Sequence, residues 1–165
     1  MIHCFEPWAD ENTRVLVIGT MPSVESLRQK MYYAHPQNRF WRYMAEILNN
    51  GTPVITAVER RALLLRHRLG LWDTLAACER DGSLDMAIKN AQPNDFGRLS
   101  QVQFYIFNGQ KAFQYFKKHN GDLLRTAPEN YAIMPSTSPA NASIPENIKF
   151  NLWKQVIENA TIFAK

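Results

Sequence analysis

At 165 residues the chain can bury one hydrophobic core but not two, so one domain spanning residues 1–165 is expected. A content of 45% apolar and 12% aromatic residues excludes a disordered or fibrous protein. The net charge of +4 is compatible with a polyanionic partner without itself pointing to one.

Residues 14–20, RVLVIGT, form a continuous β-branched apolar run, the pattern of a parallel strand covered on both faces. The next segment, KMYYAHPQNRFWRYM at 30–44, spends Tyr32, Tyr33, His35 and Asn38 on a turn. A helix follows it, with Phe40, Met44, Ile47 and Leu48 on one stripe. Residues 56–68 predict a second helix, packing through Val58, Leu64 and Leu65. LGLWDTL at 69–75 reads as a strand or as the end of a helix, and SLDMAIKN at 83–90 as helical.

Asp95 is placed to cap a short helix. Residues 102–109 predict a strand, 110–119 a helix and 130–135 the last buried strand. Leu152, Val156 and Ile157 recur at helical spacing in the closing segment, 149–165. Alternating elements joined by right-handed crossovers give an α/β fold, a three-layer α/β/α sandwich around a roughly four-stranded parallel sheet.

Each predicted strand ends in small, polar or turn-forming residues: Gly19 to Ser23, Trp72 to Thr74, Asn108-Gly109, and Pro135 to Pro139. Ligands of open parallel sheets sit outside the carboxyl ends of the strands, where the order reverses. Those ends and the 32–38 turn are therefore expected to meet in one cleft.

Cys4 and Cys78 stand far apart, and the four histidines lack metal-ligand spacing, so neither a disulfide framework, a metal nor a cofactor is expected. The chain does not open with a basic segment followed by an apolar one, and no apolar run is of membrane-spanning length. A cytoplasmic protein without a membrane association is the expectation.

Three blocks, GTMPS at 19–23, YYAHPQNRFW at 32–41 and PSTSPANAS at 135–143, occur in this order. Together they resemble the uracil-DNA glycosylase superfamily. The second block is similar to the mismatch-specific uracil-DNA glycosylases. With GLWDTLAACERDGSLDMAIKN at 70–90 and FNGQKA at 107–112, the set looks closest to the hypoxanthine-DNA (deoxyinosine) glycosylase branch.

The resemblance implies a uracil-DNA glycosylase-like fold and a partner, double-stranded DNA containing a deaminated base, with single-stranded DNA as a further substrate form. It implies hydrolysis of the N-glycosidic bond of hypoxanthine by a monomer, leaving an abasic site. Mismatched uracil is the alternative substrate, and a non-catalytic DNA-binding member of the superfamily the alternative function. A flavodoxin-like or nucleotide-using protein is a third reading, disfavoured because GTMPS is neither G-x-G-x-x-G nor a P-loop.

Two departures from the superfamily pattern matter. Met21 stands where an Asp or Asn often handles the attacking water, and Ser136 where a His often stabilises the departing base. The resemblance assigns the catalytic role to Asn38 instead. An amide can orient water without deprotonating it, which suffices when positive charge builds mainly on the sugar. The competing reading of Asn38 is a helix cap.

Tyr33 holds the place of an aromatic that stacks on the flipped base, against the alternative of a core or rim tyrosine. Asp73, read as ionised, suits a ring N–H such as N1–H of hypoxanthine or N3–H of uracil, and rejects bases with a lone pair there. Its alternatives are a cap or an arginine partner. Thr20 and Met21, through their backbone N–H groups, and Asn108 complete the expected base pocket.

His35 is assigned to a phosphate, to the departing base or merely to fixing its turn. Ser136, Thr137, Ser138 and Asn141 are expected against the DNA backbone, with Lys30, Arg39, Arg42 and Lys111 as further phosphate contacts. Ala140-Asn141 is small for a side chain that fills the vacated stack, which leaves Ile144 as a substitute.

Overall fold

The computed structural model describes residues 1–140 and 143–163. In chain order the strands are β1 (Ile2–His3), β2 (Val15–Gly19), β3 (Leu69–Asp73), β4 (Leu75–Glu79), β5 (Lys89–Pro93), β6 (Phe104–Asn108) and β7 (Tyr131–Met134). The helices are α1 (Val24–Gln29), α2 (Phe40–Leu48), α3 (Ala57–Leu65), α4 (Gln110–Asn120) and α5 (Glu146–Phe163).

Four strands form an all-parallel sheet in the order β3-β2-β6-β7. Alternation along β2 feeds both of its faces. Val15 and Val17 join Phe40, Met44, Leu63, Leu64, Trp153 and Ile157 from α2, α3 and α5. Leu16 and Ile18 join Trp72, Phe107 and Phe116, under α4 and the short 3-10 turn Phe96–Leu99. This is the expected α/β/α sandwich. The chain runs from β2 out to β3 and then back across to β6, so the strand order reverses between β2 and β6, whose carboxyl ends are Gly19 and Asn108.

The structure corrects the reading of 83–90. No α-helix forms there: Asp85–Ala87 is a 3-10 turn and β5 begins at Lys89. Leu84 and Met86 are exposed, so the segment lacks the buried stripe that a packed helix needs. β5 pairs with β4, and β4 with β1, in a second, antiparallel sheet. Beneath it Met21, Leu75 and Cys78 form a small apolar cluster.

Two helix stripes also differ. Val58 of α3 is 79% exposed, while Leu64 is buried as expected, together with Leu63. In α5 Leu152 is 39% exposed and Ile157 is buried as expected, while Trp153 is fully buried and donates its indole N–H to the Pro135 carbonyl. Asp95 caps its turn as expected, accepting the Gly97 N–H at 2.9 Å.

Candidate active site

The carboxyl ends of β2, β3, β6 and β7 open into a cleft of about 940 Å³. Its lining includes Gly19, Thr20, Met21, Tyr33, His35, Asn38, Asp73, Asn108, Ser136, Thr137 and Ser138. The residues singled out in the sequence are thus brought together, except Lys30, Arg39 and Arg42, which do not line the cleft, and Asn141, which lies outside the described residues. How each side chain is engaged separates their roles.

At the floor, Gly19 and Asp73 sit side by side at the ends of paired strands. A Cβ on Gly19 would lie 2.5 Å from Asp73 Oδ1 and 2.9 Å from the Tyr33 hydroxyl, so glycine permits both to close over the strand end. Asp73 is 3% exposed, and its Oδ2 is buried without a hydrogen-bond partner. Burial first, and then the nearby Asp85 carboxylate, push its pKa up to about 7, with Arg80 opposing. Burial thus opposes the ionised form that the sequence reading gives to Asp73.

Tyr33 adopts φ 52°, in the left-handed region. Its ring is half-buried and rests on Phe40, with centroids 4.4 Å apart. Its hydroxyl is buried and has no geometric hydrogen-bond partner. Burial and the Asp73 charge both push the phenol pKa upward, and the neighbouring Asn108 only partly offsets them. Tyr32, by contrast, is a core residue: it is 3% exposed, and its hydroxyl donates to the Glu6 carbonyl at 2.8 Å.

Asn38 Oδ1 accepts the Phe40 N–H at 3.0 Å, while Arg39, at the helix cap position itself, makes no side-chain cap bond. The capping role weighed from the sequence is thus present, and the same amide lines the cleft. An amide oxygen has two lone pairs and its nitrogen two protons, so the cap leaves capacity for water. His35 Nδ1 accepts the Gln37 N–H at 3.1 Å and its carbonyl accepts the Asn38 N–H at 2.9 Å, so this residue fixes the turn.

Asn108 and Thr137 are occupied with each other. The Thr137 N–H donates to Asn108 Oδ1 and Asn108 Nδ2 donates to Thr137 Oγ1, both at 2.9 Å. Thr137 is fully buried, which removes its hydroxyl from the surface that DNA phosphates could reach. Its carbonyl accepts the Arg39 N–H at 3.1 Å, tying the 136–140 turn to the start of α2 beside Asn38. Ser136 Oγ accepts the Ser138 N–H and Ser138 Oγ accepts the Ala140 N–H, shaping that turn from within. Thr20 and Met21 are buried, with Met21 in the apolar cluster under the second sheet.

The sequence reading missed Asp85. It stands on the 3-10 turn, lines the cleft, and has its pKa raised by burial, with a hydrogen bond from Thr20 opposing. Its signal was weak, since 83–90 was read as a helix and its side chain reaches the site only through the tertiary fold. Lys111 stands on the rim, near enough to Asp85 to bear on its charge. Among the described residues, no group of three or more His, Cys, Asp or Glu side chains is placed to hold a metal ion. Among the same residues no helix is long and apolar enough to cross a membrane.

Comparison with known proteins agrees with this geometry. Residues 6–160 match the family model of the uracil DNA glycosylase superfamily. A hypoxanthine DNA glycosylase of Methanosarcina acetivorans is 35% identical over 91% of this chain and 94% of its own length. Another hypoxanthine DNA glycosylase, from Methanosarcina barkeri, is 35% identical over 83% of this chain and 86% of its own. A Methanosarcina acetivorans protein solved by solution NMR, and provisionally described as a uracil DNA glycosylase, superposes with a TM-score of 0.78. It is 32% identical, over 95% of this chain and 96% of that one. Sequence, fold and cleft agree: the chain belongs to the uracil DNA glycosylase superfamily.

Proposed function

We propose that this protein is a monofunctional DNA glycosylase, acting as a cytoplasmic monomer on double-stranded DNA. It extrudes deoxyinosine and hydrolyses its N-glycosidic bond with water, leaving free hypoxanthine and an abasic site. The observation that carries the choice of a deaminated base is the cleft floor, where Asp73 Oδ2 is buried without a hydrogen-bond partner. Unpaired buried polar atoms are costly, and a ligand edge that supplies their partners gains correspondingly. Hypoxanthine offers a ring N–H beside a carbonyl oxygen, and ionised Asp73 accepts from that N–H. Adenine presents a lone pair at that ring nitrogen and leaves the carboxylate repelled. The relatives named hypoxanthine DNA glycosylase favour the same base.

Asp73 lines the cleft beside the Tyr33 ring. That ring, backed by Phe40, then forms the stacking platform, a contact worth about 1–3 kcal/mol per base. Asn38 holds the attacking water. As the glycosidic bond breaks, positive charge gathers on the sugar and negative charge on the base. The main requirement is therefore an aimed water molecule rather than a strong base. The Asn108–Thr137 pair and the Arg39 N–H to Thr137 bond keep the Asn38 turn in register with the floor.

The direct test incubates the protein with duplex oligonucleotides carrying one deoxyinosine or one deoxyuridine. Release of free hypoxanthine in preference to uracil, with the strand left uncut until alkali is added, is the expected result. Preferential uracil release would reverse the substrate order. Binding without release would make the protein a non-catalytic member.

A further inference from the structure

On the cleft rim, the turn around Asp85 presents two large apolar side chains to solvent. Met86 is 86% exposed and Leu84 is 55% exposed, and both line the mouth of the cleft. Between them Asp85 turns the other way, toward Thr20 and the floor. The turn is firmly held. Ser83 Oγ accepts the Val24 N–H at 2.9 Å, and the Arg80 guanidinium donates to the Pro22 and Gly82 carbonyls. The Ala87 and Ile88 N–H groups close back onto Leu84 and Asp85. Two apolar side chains held in water on a braced turn add nothing to the protein's own core.

Extruding a base leaves a gap in the duplex stack, and proteins that open base steps fill such gaps with apolar side chains, Leu and Met among them. On the opposite wall, Ser136, Thr137, Ser138, Pro139 and Ala140 carry nothing longer than a proline ring. Ile144, also at the cleft, is half-buried. We propose that Leu84 and Met86 form the wedge that enters the duplex and occupies the space vacated by the extruded nucleotide. The proposal rests on the glycosylase reading above. It makes the 83–87 turn serve two ends at once, with Asp85 facing the base pocket and its neighbours entering the stack. Lys89, just beyond the turn in the chain, and Lys111, near enough to Asp85 to act on its charge, are exposed and supply positive charge for the flanking phosphates.

A wedge is needed only where a stack must be opened, so the test compares duplex with single-stranded DNA. L84A/M86A should retain the wild-type melting temperature, since both side chains are exposed. Its single-turnover release of hypoxanthine from a deoxyinosine–cytosine duplex should fall at least about tenfold. Release from the same oligonucleotide as a single strand should stay within about twofold of wild type, well under the tenfold that 1.4 kcal/mol represents. Equal rates on the duplex, or equal losses on both substrates, would overturn the wedge.

A second readout places 2-aminopurine beside the deoxyinosine and follows its fluorescence on binding. The rise caused by unstacking should appear with wild type and be largely lost in L84A/M86A; an undiminished rise in the variant, or none with wild type, overturns the proposal. Failure of wild type to release any base from either substrate would instead defeat the glycosylase reading. In that case the fluorescence comparison still decides whether the turn enters the stack.

Discussion

Asn108 and Thr137 face each other across the end of the sheet, and each satisfies the other through two hydrogen bonds of 2.9 Å. Both are buried, so the end of β6 and the turn after β7 behave as one unit. Replacing Asn108 with alanine leaves the Thr137 N–H and hydroxyl without these partners in a dry site, at a cost of about 2–3 kcal/mol. Asn108→Ala should therefore lower the melting temperature by several degrees in the absence of DNA. It should also slow base release, because the turn that it loosens is bonded to Arg39 beside Asn38. Thermal unfolding together with single-turnover kinetics checks both effects.

Gly19→Ala addresses the close approach at the floor. The added methyl group would lie inside normal contact distance of both Asp73 Oδ1 and the Tyr33 hydroxyl. Those two buried ends must then move apart, with strain of about 1–3 kcal/mol. Because both belong to the base-reading floor, hypoxanthine release should fall further than the loss of stability alone explains. Comparing release rates well below the variant's melting temperature separates the two.

The pH dependence of base release follows from the two carboxylates. Asp73 must be ionised to accept the N1–H of hypoxanthine, and its pKa stands at about 7. The value of kcat/KM should therefore rise through about pH 7 and level off above it. Asp85 raises the Asp73 pKa while Arg80 lowers it. Asp85→Asn should accordingly move the rising limb to lower pH, and Arg80→Ala should move it higher. A pH profile on a deoxyinosine duplex reads each displacement.

The same carboxylate has a consequence for stability. Its folded-state pKa of about 7 lies above the usual 3.8, so the folded protein holds this proton more tightly than the unfolded chain does. The resulting penalty is absent below the lower value, grows as pH rises through the interval, and is full above about 7. Asp73→Asn removes the charge and should raise the melting temperature at pH 8 while changing it little at pH 4. It should also weaken discrimination of hypoxanthine against adenine, whose N1 lone pair an amide N–H can meet. Melting curves at the two pH values test the first half, and release from deoxyinosine against deoxyadenosine tests the second.

The parallel sheet was legible because its central strands, β2 and β6, are buried on both faces and end in abrupt polar turns. β2 and β6 read as unbroken apolar runs, and Gly19, Asp73 and Asn108 could be placed at one edge before any coordinates. The antiparallel sheet was not legible: β5, KNAQP, is nearly all exposed and has little apolar patterning to betray it. Val58 misled for the opposite reason, being an apolar residue on the solvent side of a helix whose last turn does the packing. Within the site, Asn38 and Tyr33 were found through the blocks that carry them. Asp85 was missed because its importance lies in its nearness to Asp73, which spacing along the chain cannot reveal.

The role of Asn38 is tested most directly by single-turnover hypoxanthine release from duplex DNA, with wild type, Asn38→Ala and Asn38→Asp measured side by side. The cap that Asn38 gives to the Phe40 N–H is worth only about 1 kcal/mol, so Asn38→Ala should remain folded at the assay temperature. Release by Asn38→Ala is expected to fall at least about 100-fold, the scale of a misplaced nucleophile. Asn38→Asp, which keeps both the cap and an oxygen to hold water, should retain most of the activity. Wild-type release by a folded Asn38→Ala protein would contradict the assignment of water positioning to this amide.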